Sequence, residues 1–147
     1  MNAQSRWTGD KEGKVPLDGS SAVRRVLLAE DDDQLRQQLA GRLRYDGFEV
    51  IEVKNAKDLL EQISLLLANS PALAPIDVII TDVQTPGFTG LAILTELAEL
   101  RRRPTVIVIT AGSDPSARAR AHHIGARVIM NKPFDIDDLR TVVMNVP

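Results

Sequence analysis

The chain has 147 residues, enough to bury the core of one domain without disulfide staples. Eighteen Lys and Arg against twenty Asp and Glu leave a net charge of -2, with neither sign gathered into a patch, which disfavours direct binding of nucleic acid or an anionic membrane. The absence of Cys excludes disulfides, thiolate zinc sites and Cys nucleophiles; no apolar run is as long as a membrane span or a signal-peptide core, so a cytoplasmic location is expected.

Residues 1–22 are polar and aperiodic and read as a flexible N-terminal tail, with Trp7 an incidental aromatic in it; residues 23–147 form the expected domain. "RVLLA" (25–29) is an unbroken apolar run, as in a strand buried on both faces. Four consecutive acids follow, Glu30 to Asp33. Leu35, Leu39 and Leu43 then recur at helical spacing, and Gly47 supplies a stop. "FEVIEV" (48–53) alternates like a strand with one more exposed face. Asn55 is placed to cap a helix that buries Leu59, Leu60, Ile63, Leu66 and Leu67, before "NSPALAP" breaks it. "IDVIIT" (76–81) predicts another buried strand, and Pro86, Gly87 and Gly90 a loop. Leu91, Leu94, Leu97 and Ala98 make the next helical stripe. "TVIVIT" (105–110) predicts a strand, and the segment after it a helix capped by Ser113 or Asp114, with Pro115 in its first turn and Gly125 as its stop. "RVIM" (127–130) is the fifth strand, and Asp135 caps a last helix that buries Ile136, Leu139, Val142 and Val143.

Five strands alternating with five helices predict a doubly wound α/β fold, a mainly parallel sheet with helices on both faces. Ligands of such sheets bind beyond the carboxyl ends of the strands. There the spacing places Glu30 and Asp31 after the first strand, Asp82 after the third, Thr110 at the end of the fourth and, two residues beyond the fifth, Lys132 before Pro133. Crowded carboxylates stay ionised only when a hard cation neutralises them, and Mg²⁺, with Mn²⁺ as its substitute, suits a rim without His or Cys. With metal bound, one carboxylate can attack a phosphoryl donor while a Lys ammonium offsets charge on the transferred group. Asp82 is the expected nucleophile, since a central strand end is expected to expose it beside a mobile loop, and Thr110 can hydrogen-bond the acyl phosphate formed.

"LLAEDDDQLR", "DVIITDVQTPGFTG", "TVIVITAG" and "MNKPFD" together resemble the signature segments of the receiver domain of two-component response regulators, over residues 24 to about 146. The resemblance implies a flavodoxin-like five-stranded parallel sheet and a signalling domain rather than an enzyme. It implies that Glu30 and Asp31 are the metal-holding acids, that Asp82 is the phosphoacceptor and a metal ligand, and that the backbone carbonyl of Gln84 completes the metal shell. Thr110 corresponds to the switch hydroxyl and Lys132 to the phosphate-binding lysine before a typically cis Pro133. A histidine kinase or phosphotransfer protein is the implied donor. A downstream protein or an output domain on another chain is the implied reader, and a phosphorylation-dependent dimer is compatible with both. Two positions depart from the pattern: Ile129 stands where an aromatic usually swings inward, and Thr85 where Met is common.

Blander readings compete. Asp32 and Asp33 suit a helix N-terminus, where acids complement the helix dipole. Taken singly, Asp82 would be a turn residue, Thr110 a strand-end hydroxyl and Lys132 a solvated lysine; their shared rim favours function. His122 and His123 lie in a helix away from that rim and read as solvated or half-buried, while the stripe Arg118, Arg120, His122, His123 is an alternative partner face. "DVQT" also looks like the DxDx(T/V) loop of haloacid-dehalogenase-like phosphatases, but Gln84 replaces the second Asp and the loop follows the third strand. A receiver-shaped docking module that no longer uses phosphate is the third expectation, motivated by Ile129.

Overall fold

The structure, a computed structural model, describes residues 7–8, 15–16, 23–68, 75–83, 90–99, 103–111 and 115–147. Two short strands, β1 (Trp7–Thr8) and β2 (Val15–Pro16), pair antiparallel; the rest of the expected tail lies outside the described residues, as do Ser113 and Asp114, expected as a cap. The main sheet holds β3 (Arg25–Ala29), β4 (Glu49–Val53), β5 (Val78–Asp82), β6 (Thr105–Thr110) and β7 (Val128–Asn131). Between and after them run α1 (Asp33–Tyr45), α2 (Ala56–Ala68), α3 (Gly90–Ala98), α4 (Pro115–His123) and α5 (Ile136–Asn145).

The five strands are parallel in the order β4-β3-β5-β6-β7, the flavodoxin-like order. Strands buried on both faces carry apolar side chains without alternation, and β3, β5 and β6 do so. Their odd and even residues feed two cores. Leu27, Ile79 and Val108 pack with Leu59 and Ile63 of α2, Ile93 and Leu97 of α3, and Ala117 and Ala121 of α4. On the other face Leu28, Ile80 and Ile107 pack with Leu39 and Leu43 of α1 and Leu139 and Val143 of α5. Burying each such side chain stabilises the fold by roughly 1.5–3 kcal/mol. β4 is an edge strand whose Glu49 is exposed, as its alternation predicts.

Local chemistry sets the ends of the elements. The Asp32 side chain accepts the Leu35 N–H at 3.0 Å and caps α1, while Asn55 accepts the Asp58 N–H at 2.8 Å and Asp135 the Asp137 N–H at 2.8 Å. Gly47, with φ of 99°, turns the chain out of α1, and the Phe48 N–H donates back to the Leu43 carbonyl, so β4 begins one residue later than its alternation suggests. β5 runs to Asp82, one residue beyond its expected end, because Asp82 pairs in register with Ile109. β7 likewise includes Asn131, opposite Thr110, so Lys132 follows the strand directly.

The structure separates two glycines by the backbone each requires. Gly41 sits in α1 with open space where a Cβ would go, so Gly41→Ala is expected to raise stability by about 0.5–1 kcal/mol through helix entropy. Gly47 has equal space but a positive φ, so Gly47→Ala is expected to lower it by about 1–2 kcal/mol. Urea unfolding with an unchanged denaturant slope measures both; equal signs contradict the argument.

Candidate functional site

The connection from β3 leaves toward β4 on one side, and that from β5 toward β6 on the other. The strand order therefore reverses between β3 and β5, and adjacent carboxyl ends open a crevice at such a switch point. Glu30 and Asp31 follow β3 on one side of it, and Asp82 ends β5 on the other. The three offer carboxylate oxygens within 4.8 Å of one another. Asp31 is exposed, but Glu30 is fully buried and Asp82 is 3% exposed. The expectation that the strand end exposes Asp82 is thereby corrected: its side chain is buried and accepts a hydrogen bond from Lys132.

Lys132 reaches into this group from the end of β7. Its Nζ donates a hydrogen bond to Asp82 Oδ2 at 2.7 Å and pairs with Glu30 Oε1 at 2.8 Å. The Asp32 N–H donates to the other Glu30 oxygen at 3.1 Å. Burial pushes the Glu30 carboxyl above its ordinary 4.5, and the Lys132 ammonium offsets only part of that. For Lys132 itself burial pulls the ammonium down, yet its contacts with Asp82 and Glu30 outweigh this and hold it above its ordinary value.

Thr110 lies one residue beyond the partner of Asp82. Its carbonyl accepts the Lys132 N–H at 2.7 Å, and its buried hydroxyl has no hydrogen-bond partner among the described residues. The Lys132–Pro133 peptide is cis. Beside the acids a groove of about 420 Å³ opens between α1 and the segment after β7, lined by Leu35, Gln38, Ala111, Lys132 and Phe134 among others.

Glu30, Asp31, Asp82, Thr110 and Lys132 thus share one rim. Gln84 and Thr85 lie outside the described residues. His122 and His123 are exposed in the last turn of α4. Ile129 is half-buried against the core under α4.

One residue was absent from the sequence reading. Arg36, 5% exposed, occupies the buried face of α1 with Leu39, Ala40 and Leu43. Its Nη1 donates to the Glu30 carbonyl at 3.0 Å, its Nη2 to Asp33 Oδ1 at 2.6 Å and its Nε to Glu52 Oε1 at 3.3 Å. A single charged residue at a stripe position, three residues after an acid, was the available signal.

Residues 26–144 match the response regulator receiver domain family. The chain belongs to that family. This receiver domain is 38% identical over 132 residues to the transcriptional regulatory protein PdtaR of Mycobacterium tuberculosis, covering 90% of the chain and 57% of PdtaR. It is 30% identical to the regulatory protein AtoC of Escherichia coli, covering 84% of the chain and 25% of AtoC, so the receiver chain spans little more than half, or less, of these relatives. A response regulator receiver protein from Burkholderia phymatum superposes with a TM-score of 0.64 at 30% identity, over 82% of this chain and 93% of that one. Chemotaxis response regulator CheY4 of Vibrio cholerae, at 22% identity, shares the fold with a TM-score of 0.69, over 85% of this chain and 99% of that one. Among the described residues no helix is long and apolar enough to cross a membrane.

Removing the ammonium leaves two buried carboxylates without a counter-charge, so Lys132→Met is expected to destabilise the metal-free receiver by about 2–4 kcal/mol at neutral pH. The pH dependence has a definite sign. Glu30 holds its proton more tightly folded than unfolded, so its contribution is favourable below 4.5 and is lost as pH rises through its raised folded value. Without Lys132 that folded value rises further, so the deficit should shrink toward pH 4.5 and widen toward neutrality, as read by urea unfolding in EDTA.

Proposed function

We propose that this receiver domain is a phosphorylation-operated switch in which Asp82 accepts a phosphoryl group from a histidine kinase or phosphotransfer protein. One observation carries the reading: Glu30, Asp31 and Asp82 converge at the switch point of the sheet with Lys132 among them. Three carboxylates against one ammonium leave two negative charges when all are ionised. That deficit and an all-oxygen donor set suit a hard divalent ion. Glu30, Asp31 and Asp82 would hold Mg²⁺ or Mn²⁺ together with the Gln84 carbonyl, which rests on the family resemblance. Bound there, the ion supplies positive charge to the oxygens of the group in transfer.

The chain's own groups do the rest. An Asp82 carboxylate oxygen attacks phosphorus as the phosphorus–nitrogen bond to the donor imidazole breaks, and the imidazole leaves with the bonding pair and takes a proton. Lys132, already hydrogen-bonded to Asp82, moves its ammonium onto the transferred oxygens. The Thr110 hydroxyl, unpartnered among the described residues, donates to the acyl phosphate and draws the end of β6 toward it. Downstream, β7, α4 and α5 form the surface read by a protein partner or an output domain, including through dimerisation. The role is signalling rather than turnover, and the site of action proposed is the cytoplasm.

Incubation with acetyl phosphate and Mg²⁺ is expected to add a single phosphoryl group by intact mass. EDTA or Asp82→Asn should abolish it, whereas Thr110→Val should leave uptake intact and weaken the conformational response seen by NMR. An adduct that persists in Asp82→Asn places the chemistry elsewhere. No adduct from either acetyl phosphate or a phosphorylated phosphotransfer protein favours a docking module that no longer uses phosphate.

A further inference from the structure

We infer that Arg36 is a positioning residue for the metal site: by holding the Glu30 carbonyl from inside the fold it fixes the turn that presents Glu30 and Asp31. The inference rests on the metal reading above. Glu30 is the first residue after β3, and two main-chain bonds define its place. Its N–H donates to the Val53 carbonyl of β4 at 3.1 Å, and its carbonyl accepts from Arg36 Nη1 at 3.0 Å. The first bond continues the sheet. The second is the one that sets the direction of the Glu30–Asp31 peptide, and it comes from a side chain 6% exposed.

The guanidinium is itself constrained. Asp33 in the first turn of α1 and Glu52 on β4 take two more of its donors, and Arg44 donates to Glu52 at 2.9 Å and to the Val50 carbonyl at 2.8 Å. The fork therefore joins three elements: the turn after β3, the start of α1 and the adjacent strand β4. A planar, multidentate group can do this and a single ammonium cannot, because Lys offers one point of charge and no fixed fork. Buried charge costs free energy unless fully paired, so a guanidinium on the apolar stripe of α1 needs a reason beyond packing.

Electrostatics alone predicts the opposite. A cation near a site for a divalent ion repels that ion, so neutralising Arg36 should tighten metal binding if charge were its whole effect. Positioning predicts weakening, and to a similar extent whether Lys keeps the charge or Gln removes it.

The test is calorimetric titration of the full chain with Mg²⁺, and with Mn²⁺ by electron paramagnetic resonance, alongside thermal unfolding. Arg36→Lys and Arg36→Gln are each expected to weaken metal affinity about 10–100-fold, the range found when groups that orient metal ligands are removed. Arg44→Met disturbs the same network without touching Glu30; it should lower thermal stability and leave metal affinity unchanged. The inference is overturned if Arg36→Lys binds metal like the parent, if Arg36→Gln tightens binding, or if Arg44→Met weakens it as much. Should the Arg36 variants not fold, the parent decides: its Arg36 guanidinium NMR resonance should shift on Mg²⁺ addition, and no shift overturns the inference. A parent chain that binds neither ion overturns the metal reading itself and this inference with it, and that result is read without any variant.

Discussion

The structure depends on a shared ammonium. Glu30 and Asp82, fully buried and 3% exposed, come from two different strands, and Lys132 from a third stands between them. Each carboxylate gives up hydration that one lysine does not fully replace, which is why burial raises the Glu30 pKa despite the neighbouring cation. Apolar side chains in the same space would cost less. The arrangement is stable because the surrounding sheet is rigid and apolar on both faces, and its retained charge deficit is what the proposed cation would offset. Stability and the proposed metal binding draw on the same groups in opposite directions.

The topology determines where this tension is located. Because the strand order reverses between β3 and β5, the connections leave these two strands in opposite directions, and the residues directly following them face one another. Under the proposed switch, the same registers set the route from the site outward. Ala29, Thr81, Val108 and Ile129 form one row across the sheet, on the face that packs against α4. Thr110 follows Val108 by two residues on that face. A pull on the end of β6 therefore acts first on the packing beneath α4, where Ala117 and Ala121 are small and buried.

Much of this was legible in the chain. "VLLA" and "VIVI" read as strands because a sheet covered on both sides leaves no polar alternation, and Asn55 and Asp135 read as caps because short polar side chains before apolar periods have little else to do; Asp32 read only as an acid suited to the helix dipole, and the structure makes it the cap of α1. The rim of Glu30, Asp31, Asp82, Thr110 and Lys132 followed from the strand ends. Burial was not legible. Asp82 is bonded by Lys132, fifty residues away, and spacing alone cannot report a contact between strands that are not adjacent. Arg36 escaped for a related reason: its value lies in a main-chain oxygen six residues earlier, which leaves no mark on side-chain patterning. The bidentate pair from Arg140 of α5 to Asp46, at 2.6 and 2.7 Å, escaped as well, since it joins segments 94 residues apart.

Ile129 bears on how far the family pattern carries the readout. An aromatic at that position has two places to be, in the core or in solvent, and a polar tip that tolerates both. Ile129 is branched at Cβ, stiff at χ1 and already packed against the core under α4, so moving it outward would expose apolar surface with nothing gained. A two-position aromatic is therefore unavailable to this receiver. On that face α4 buries two alanines and is tied to β7 by an exposed hydrogen bond from Arg118 to Asn131 at 3.1 Å. Small buried side chains and an exposed polar tie make a helix inexpensive to shift. Under the proposed switch, a displacement of Thr110 would therefore pass to α4, with Ile129 as the fixed surface beneath it.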